Sequence, residues 1–211
     1  MKKLLSLLTI LTLTASIPAP LLANTTLTRV KRDVSTLSSN SNNDYVPLKK
    51  INGIGKSIFY PAIDSKDNVY FVLSDKLFVL KHRETTPTKI NGIKDNIQSL
   101  AVDNKDNLFI ATNKGLYNLV YGSDTPAKIN RVNDNMFSLA VDNNDNIYYI
   151  KSNMEVTFVL KQGATTPTKI DGIDALISVS SLAIDSSNNI YFGTSSGAFV
   201  LKHRETTPTK I

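Results

Sequence analysis

The sequence predicts an all-β protein, a β-propeller-like array of four four-stranded blades. A Lys-Ile pair recurs along the chain, with its isoleucine at Ile51, Ile90, Ile129, Ile170 and Ile211. A fixed period of about forty residues is typical of solenoids and propellers. Within one unit, four short apolar runs alternate with turn-forming residues, and helical spacing is not sustained. Four strands in a unit of this length predict a propeller blade.

The N-terminus has the pattern of a signal peptide, which we place at residues 1–23. Lys2 and Lys3 form a positive start, Leu4–Leu13 an apolar stretch, and cleavage is expected after Ala23. The alternative is an uncleaved membrane anchor, because Leu4–Ala23 is long enough to span a bilayer. Under both alternatives we expect the rest of the chain on the far side of the membrane, secreted or on the extracellular face.

Residues 24–44 are rich in Thr, Ser and Asn, which predicts a flexible tether. The repeat domain follows at residues 45–211, with units at about 54–90, 93–129, 132–170 and 173–211. An additional strand at 47–51 precedes these units. A closed four-blade ring does not need this strand, so three alternatives stay open: an open ring, a piece of a longer propeller, or two associated copies. The end of the chain at Ile211 favours a truncated copy of a longer array.

Composition excludes several function classes. The chain has no cysteine, so a disulfide framework, a thiol nucleophile and a thiolate metal site are excluded. The formal net charge of +6 includes the two lysines of the leader, and the remaining positive charge is spread along the repeats. Nucleic-acid binding needs a clustered basic patch, so we expect no nucleic-acid partner.

An aspartate recurs once per unit in a second motif, apolar-Asp-x-x-[Asp/Asn]-Asn-apolar-aromatic. The four aspartates are Asp64, Asp103, Asp142 and Asp185. Clustered oxygens suit a hard cation such as calcium, but the spacing is not that of an EF-hand. The favoured interpretation is a tight turn in which Asp caps the backbone and the motif's Asn adopts the left-handed conformation. We therefore predict no metal and no cofactor at these positions.

Three other motifs resemble catalytic ones and lack the context that catalysis needs. Ser195 lies in a G-x-S-x-G match, but no acid followed by a histidine comes later and no helix is predicted. The GIGKS stretch at 53–57 lacks the first glycine of a P-loop and precedes a strand. His82 and His203 lie in two identical copies of FVLKHRETTPTKI, which indicates duplication within the gene. We predict no catalytic residue.

The segment Leu100–Leu116 resembles the two-component-regulator propeller repeat, which has the form Asp-x-x-Gly-Asn-[Ile/Leu]-Trp-apolar-[Gly/Ala]-Thr-x-x-Gly-Leu. Matches in the second unit are Asp103, Asn107, Leu108, Ala111, Thr112, Gly115 and Leu116, and in the fourth Asp185, Asn189, Ile190, Gly193, Thr194 and Gly197. Asp106 replaces the glycine and Phe109 the tryptophan. The resemblance implies an extracytoplasmic sensor module, which in that family is joined to a membrane span and a kinase. The leader and the frequent Lys, Asn and Ile also resemble exported proteins of AT-rich, wall-less bacteria.

We therefore expect an exported, non-enzymatic binding or sensing module that recognises protein or glycan at the cell surface. The contact candidates are Tyr121, Asn133–Asn135 and Asn143–Asn146. One alternative is a metal-dependent propeller lactonase or lyase, in which the four repeated aspartates would converge in a central channel. Another is a truncated fragment without independent function. Self-association that closes the ring is a further expected partnership.

Overall fold

The computed structural model describes residues 54–55, 57–151, 157–172 and 178–211, all within one compact unit that comprises residues 51–211. The expected signal peptide at 1–23, tether at 24–44 and leading strand at 47–51 lie outside the described residues. In the described part, the chain forms strands and turns without an α-helix, and it has no helix able to cross a membrane.

Within the described residues, sixteen strands form four antiparallel sheets of four strands each, which confirms the predicted fold class. The first sheet contains β1 (Ile58–Ile63), β2 (Val69–Leu73), β3 (Lys76–Leu80) and β4 (Thr88–Ile90). The second contains β5 (Ile97–Val102), β6 (Leu108–Thr112), β7 (Gly115–Leu119) and β8 (Ala127–Ile129). The third contains β9 (Met136–Val141), β10 (Ile147–Lys151), β11 (Thr157–Leu160) and β12 (Thr168–Lys169). The fourth contains β13 (Val179–Ile184), β14 (Ile190–Thr194), β15 (Gly197–Leu201) and β16 (Thr209–Lys210).

Each sheet is a meander whose strands pair in chain order. The first hairpin turn of each sheet contains the repeated Asp-x-x-[Asp/Asn]-Asn motif. The second is a two-residue turn in the first sheet, where Ser74 and Asp75 have φ angles of 50° and 60°. Two successive positive φ values match the right-handed twist of the flanking strands, which favours tight hairpins.

The hydrophobic core lies between consecutive sheets, and the second and third sheets are packed on both faces. In the second sheet, Leu108 and Ile110 pack towards the first sheet, while Phe109 and Ala111 pack towards the third. Every residue of β6 is therefore buried. This two-sided burial explains why the strands are nearly continuous apolar runs instead of alternating ones.

The array is open. The innermost strands pack in series, β1 on β5, β5 on β9 and β9 on β13. In the described part of the chain, the first and fourth sheets do not close on each other to form a ring. This agrees with the open ring, one of the three alternatives that the sequence left open.

Candidate functional site

The repeated aspartate organises the first hairpin turn of every sheet. In the second sheet, Asp103 Oδ1 accepts the N–H groups of Lys105 and Asn107, both at 2.8 Å, and Oδ2 accepts Nδ2–H of Asn107 at 2.8 Å. The same three bonds are made by the other three aspartates, Asp64, Asp142 and Asp185. All four aspartates therefore lie in tight turns, which is the interpretation that the sequence favoured.

The asparagine that ends each turn connects it to the end of the third strand. Asn107 Oδ1 accepts the backbone N–H of Tyr121 at 2.9 Å, and Asn68 accepts that of His82 at 2.8 Å. Asn189 does the same for His203 at 2.9 Å. Because only the backbone N–H is used, the side chain at these positions is free to vary between units. This bond explains why both histidines occupy a regular place in the fold without a shared chemical role.

The residue with the left-handed backbone is not the one that the sequence indicated. The residue before the asparagine has positive φ, at 66° for Asp67, 65° for Asp106, 60° for Asp145 and 64° for Asn188. The expectation that the terminal Asn adopts this conformation is therefore wrong. The Asn side chain must reach both its own Asp and the third strand, so its backbone already follows the β-strand direction. Asp106 occupies the position where the two-component-regulator repeat has glycine, the residue that adopts positive φ most readily.

In three of the four sheets, a tyrosine hydroxyl donates a further hydrogen bond to the repeated aspartate. The hydroxyls of Tyr70, Tyr148 and Tyr191 each donate to the aspartate of their own sheet, at 3.4, 3.3 and 3.1 Å. Burial first, and then the charge and hydrogen bond of Asp64, raises the pKa of Tyr70 to about 12. These tyrosines therefore stay neutral donors near neutral pH.

The aspartates are not assembled into a metal centre. Across residues 54–211, excluding the undescribed 56, 152–156 and 173–177, no group of three acidic or histidine side chains could hold a metal ion. The convergence that a metal-dependent lyase would need is thus absent from the described residues.

The catalytic-looking motifs also lie in structural turns. Ser195 is in the hairpin between β14 and β15, where Thr194 Oγ1 accepts N–H of Ser196 at 3.2 Å and donates to the carbonyl of Gly197 at 2.6 Å. A strand follows this turn where a nucleophile elbow needs a helix. Of the GIGKS stretch, Gly53 and Lys56 lie outside the described residues, and strand β1 begins directly after Ser57.

A cleft of about 630 Å³ lies between the first and second sheets. Its lining includes Lys81 and Lys89 from the first sheet, and Val120, Tyr121 and Asp124 from the loop that follows β7. Ligand-binding clefts commonly have volumes of about 300–1,000 Å³ and combine an apolar lining with a few polar groups. This cleft has that combination.

The apolar part of the cleft is accessible to solvent. Val120 and Tyr121 are 54% and 48% exposed. Lys66 holds the tyrosine from the first sheet: its Nζ donates to the Tyr121 hydroxyl and lies 3.9 Å from the ring centroid. The hydrogen bond to Tyr121 raises the pKa of Lys66, although partial desolvation opposes it. An exposed aromatic ring with a fixed orientation can bind a ligand at little entropic cost.

Of the contact candidates taken from the sequence, the structure brings only Tyr121 to this cleft. Asn133 donates Nδ2–H to the carbonyl of Asn130 within its own turn at 3.2 Å. Asn143 donates Nδ2–H to the carbonyl of Ser186 in the fourth sheet at 3.2 Å. The two cleft lysines, Lys81 and Lys89, were missed because their sequence context is that of any strand-end lysine.

No protein-family model and no curated protein matches the chain. Solved structures with the same fold include the extracellular domain of the hybrid two-component system BT4673 from B. thetaiotaomicron (16% identity, TM-score 0.56), which matches 73% of this chain and 22% of its own. An ancestral GH74 enzyme matches at 16% identity and a TM-score of 0.58, over 73% of this chain and 24% of that one. The virginiamycin B lyase from Staphylococcus aureus matches at 8% identity and a TM-score of 0.58, over 73% and 55%.

At these identities the likeness establishes the propeller fold alone. The chain spans about a quarter of the length of the first two matched proteins and about half of the lyase.

Proposed function

We propose that the chain is an exported, non-enzymatic binding module that recognises protein or glycan at the cell surface through the cleft between its first two sheets. The observation that carries the proposal is the pairing of exposed Val120 and Tyr121 with Lys81 and Lys89 around one concave site. Aromatic rings supply contact area, and the lysines and Asp124 supply polar contacts that orient a ligand.

The second unit differs from the others at the residues that face the cleft. In place of Val120 and Tyr121, the first and fourth units have lysine followed by histidine, and the third unit has lysine followed by glutamine. The backbone N–H at this position is bound by an asparagine in all four units, so the turn does not require an aromatic or apolar side chain. An exposed apolar pair that the fold does not need is best explained by contact with a ligand.

Two further features support a surface location and a sensing role. The N-terminal pattern is that of a signal peptide. The same fold occurs in the extracellular domain of the two-component system from B. thetaiotaomicron. The fold also occurs in lyases and in a glycoside hydrolase, so fold alone does not select the function.

A turn-preserving replacement tests the proposal. The double variant Val120→Lys, Tyr121→Gln gives the second unit the residues of the third, which the same turn already accommodates. We expect wild-type protein to bind specific members of glycan and extracellular-peptide arrays, and the variant to lose at least tenfold in affinity. A tenfold loss corresponds to about 1.4 kcal/mol, a common cost for removing one aromatic hot spot.

The matched control is Gln162→Tyr, which places a tyrosine at the equivalent position of the third unit. It should leave the binding profile unchanged, and it should change the melting temperature only slightly, because the hydrogen bond that it removes, from Gln162 Nε2 to Asp145, is exposed. Equal binding by wild-type protein and the double variant would contradict the cleft as the site, and hydrolysis or elimination of an array glycan by the purified chain would contradict the non-enzymatic assignment.

A further inference from the structure

The cleft between the first and second sheets has two lysines whose charge no neighbouring side chain neutralises. Lys81 directly follows β3 and Lys89 lies in β4, and both are exposed and line the cleft. Within the described residues, neither ammonium group forms an ion pair or a hydrogen bond. Two cations are therefore available to a ligand in this cleft.

The two acidic side chains of the cleft differ in what they already bind. Asp106 Oδ1 accepts the backbone N–H of Ser65 and Oδ2 accepts its Oγ–H, each at 2.7 Å. Asp124 is exposed in the loop that follows β7, where its carboxylate can accept hydrogen bonds from a ligand. When Lys66, which contacts Tyr121 at the same junction, is counted with these groups, three cations stand against two anions. The cleft therefore has a net charge of +1.

The third unit shows how the lysine equivalent to Lys89 can be neutralised within the chain. In that unit, Lys169 Nζ lies 3.3 Å from Asp171 Oδ1. The first unit has Asn91 where the third has Asp171, and Asn91 lines the cleft. Because an amide carries no charge, the positive charge of Lys89 is left for a ligand.

The other junctions do not combine the lysine pair with an aromatic ring. At the second junction, Val120 takes the place of Lys81, and Gln162 takes the place of Tyr121. At the third, His203 takes the place of Tyr121. Of the three junctions between the described sheets, the first alone has two lysines without an ion pair beside a tyrosine. The cleft is thus a property of this junction and not of the repeat.

These groups match the chemistry of a sugar that bears a carboxylate. The Tyr121 ring is held by Lys66 and remains 48% exposed, so the apolar face of a sugar ring can pack against it. Ammonium groups form short, strong hydrogen bonds with a carboxylate. Sugar hydroxyls can donate to Asp124 and can exchange hydrogen bonds with the exposed amide of Asn91.

The balance of charge favours this ligand over two other anions. A net charge of +1 balances one carboxylate, whereas a phosphate monoester carries about −1.5 to −2 charges. A run of acidic residues in a peptide would bring a second anion towards Asp124, and like charges in contact are unfavourable. A ligand with one acid group and several hydroxyls suits both the lysines and Asp124.

We propose that the cleft binds a glycan through a sugar unit that bears a carboxylate. The carboxylate accepts hydrogen bonds from Lys81 and Lys89, the sugar ring packs on Tyr121, and a hydroxyl donates to Asp124. This inference rests on the proposed function, because it specifies the ligand class for the same cleft.

An array of matched glycans tests the charge requirement. Oligomers of uronic acids and sialylated oligosaccharides are printed beside their methyl esters, which keep the sugar and lack the charge. We expect wild-type protein to bind acids at least tenfold more tightly than the corresponding esters. Binding should weaken as the ionic strength rises from about 0.01 to 0.15 M, because salt screens exposed charges.

The variant Asn91→Asp tests the role of Lys89 without removing it. It gives the first unit the residue of the third, and the following glycines, Gly92 and Gly172, have similar φ angles of 106° and 97°. We expect affinity for the acidic glycan to fall by about threefold to tenfold, as for the loss of one charged contact, with the melting temperature unchanged. The control Asp171→Asn makes the opposite change in the third unit and should leave binding unchanged.

Removal of the lysines gives a second measurement. The double variant Lys81→Gln, Lys89→Gln should lose more than tenfold in affinity for the acidic glycan. Its matched control is Lys161→Gln, because Lys161 is the equivalent of Lys81 in the third unit and lies outside this cleft. An equal loss in the control would show that attraction is due to the net charge of the chain, and would overturn the proposal.

The single variant Tyr121→Gln separates this inference from the proposed function. Binding of esters as tightly as acids, lost in Tyr121→Gln, would overturn the carboxylate and leave the cleft as the binding site. Tighter binding of acidic or phosphorylated peptides printed on the same array would also overturn it. Charge-dependent glycan binding that Tyr121→Gln leaves unchanged, or no binding by wild-type protein, would contradict both proposals.

Discussion

Among single residues, the aspartates of the four inner turns show how a short polar motif stabilises a β-array. Each carboxylate accepts two backbone N–H groups and an asparagine amide that the hairpin would otherwise leave unpaired. An unpaired buried donor costs about 1–3 kcal/mol, so repetition of this turn contributes to the stability of every sheet. The role is structural, and the same chemistry leaves these carboxylates little capacity for a ligand.

The acid sensitivity of folding should reflect one of these residues, Asp185. Burial alone would raise its pKa, but hydrogen bonds from Asn189, from the N–H of Ser187 and from the Tyr191 hydroxyl outweigh it and lower the pKa below the usual value. A carboxyl with a lower pKa in the folded state adds stability above its unfolded pKa, and that contribution is lost as the pH falls through the folded pKa. We expect the melting temperature to drop below about pH 4.

Thermal melting of Asp185→Asn across acid pH checks this assignment. The variant should melt lower than wild type at neutral pH and show a shallower decline in acid, because its side chain cannot titrate. Asp124→Asn, in an exposed turn, is the matched control and should keep the wild-type acid profile. A variant with an unchanged slope in acid would show that other groups cause the decline.

Among the elements, the second hairpin of the second sheet positions the connection to the third sheet. Gly115 begins β7 with φ of 126°, and an added Cβ would lie 2.5 Å from the carbonyl oxygen of Val132. Leu116 donates its N–H to the same carbonyl at 3.4 Å. The connection from the second sheet to the third therefore packs directly on this hairpin, and the absence of a side chain allows it.

Two glycine substitutions separate close packing from backbone conformation. Gly115→Ala and Gly197→Ala place alanine at nearly the same positive φ, 126° and 123°, but an added Cβ meets the backbone carbonyl of Val132 only at Gly115, whereas at Gly197 its nearest neighbour is the flexible end of Lys210. We expect Gly115→Ala to lower the free energy of unfolding clearly more than Gly197→Ala, as measured by denaturant titration. Equal losses would mean that the carbonyl of Val132 moves away without cost.

For the whole molecule, stability depends on junctions between sheets, because three core clusters lie between consecutive sheets. Three junctions are formed within the chain, and the faces at the two ends of the array are partly exposed. The exposed fraction of an equivalent residue therefore depends on the position of its sheet in the array. The same substitution should have different effects in different sheets.

Alanine at two equivalent positions measures this dependence. Ile97→Ala removes a residue buried at an internal junction and should cost about 2–5 kcal/mol at any protein concentration. Ile58→Ala should cost much less, because the Ile58 side chain is 41% exposed. Denaturant titration of the two variants measures the difference. Equal costs would show that burial at this position does not depend on the place of the sheet in the array.

Local patterns in the sequence were sufficient to predict the fold and the inner turns. The spacing of Lys-Ile pairs and the recurrent Asp motif identified the blades, and the amino acids between the runs identified the hairpins. The left-handed residue was misplaced, since nothing in the motif shows that the side chain of Asn107 must reach Tyr121 at the end of another strand. The sequence named Tyr121 as a contact candidate but did not predict the cleft, because Lys81 and Lys89 meet Tyr121 through packing between sheets.

The sequence by itself determined the secondary structure, the number of sheets and the turn chemistry of this protein. Those properties depend on interactions within about forty residues, and the sequence contains the same pattern of apolar runs and turns four times. Only the tertiary structure decided that the array is open and that Tyr121 borders a cleft. It also decided that Ile58 is exposed while Ile97 is buried. These properties depend on the rotation between neighbouring sheets, which is set by the packing of side chains from different units and is not encoded in any single repeat.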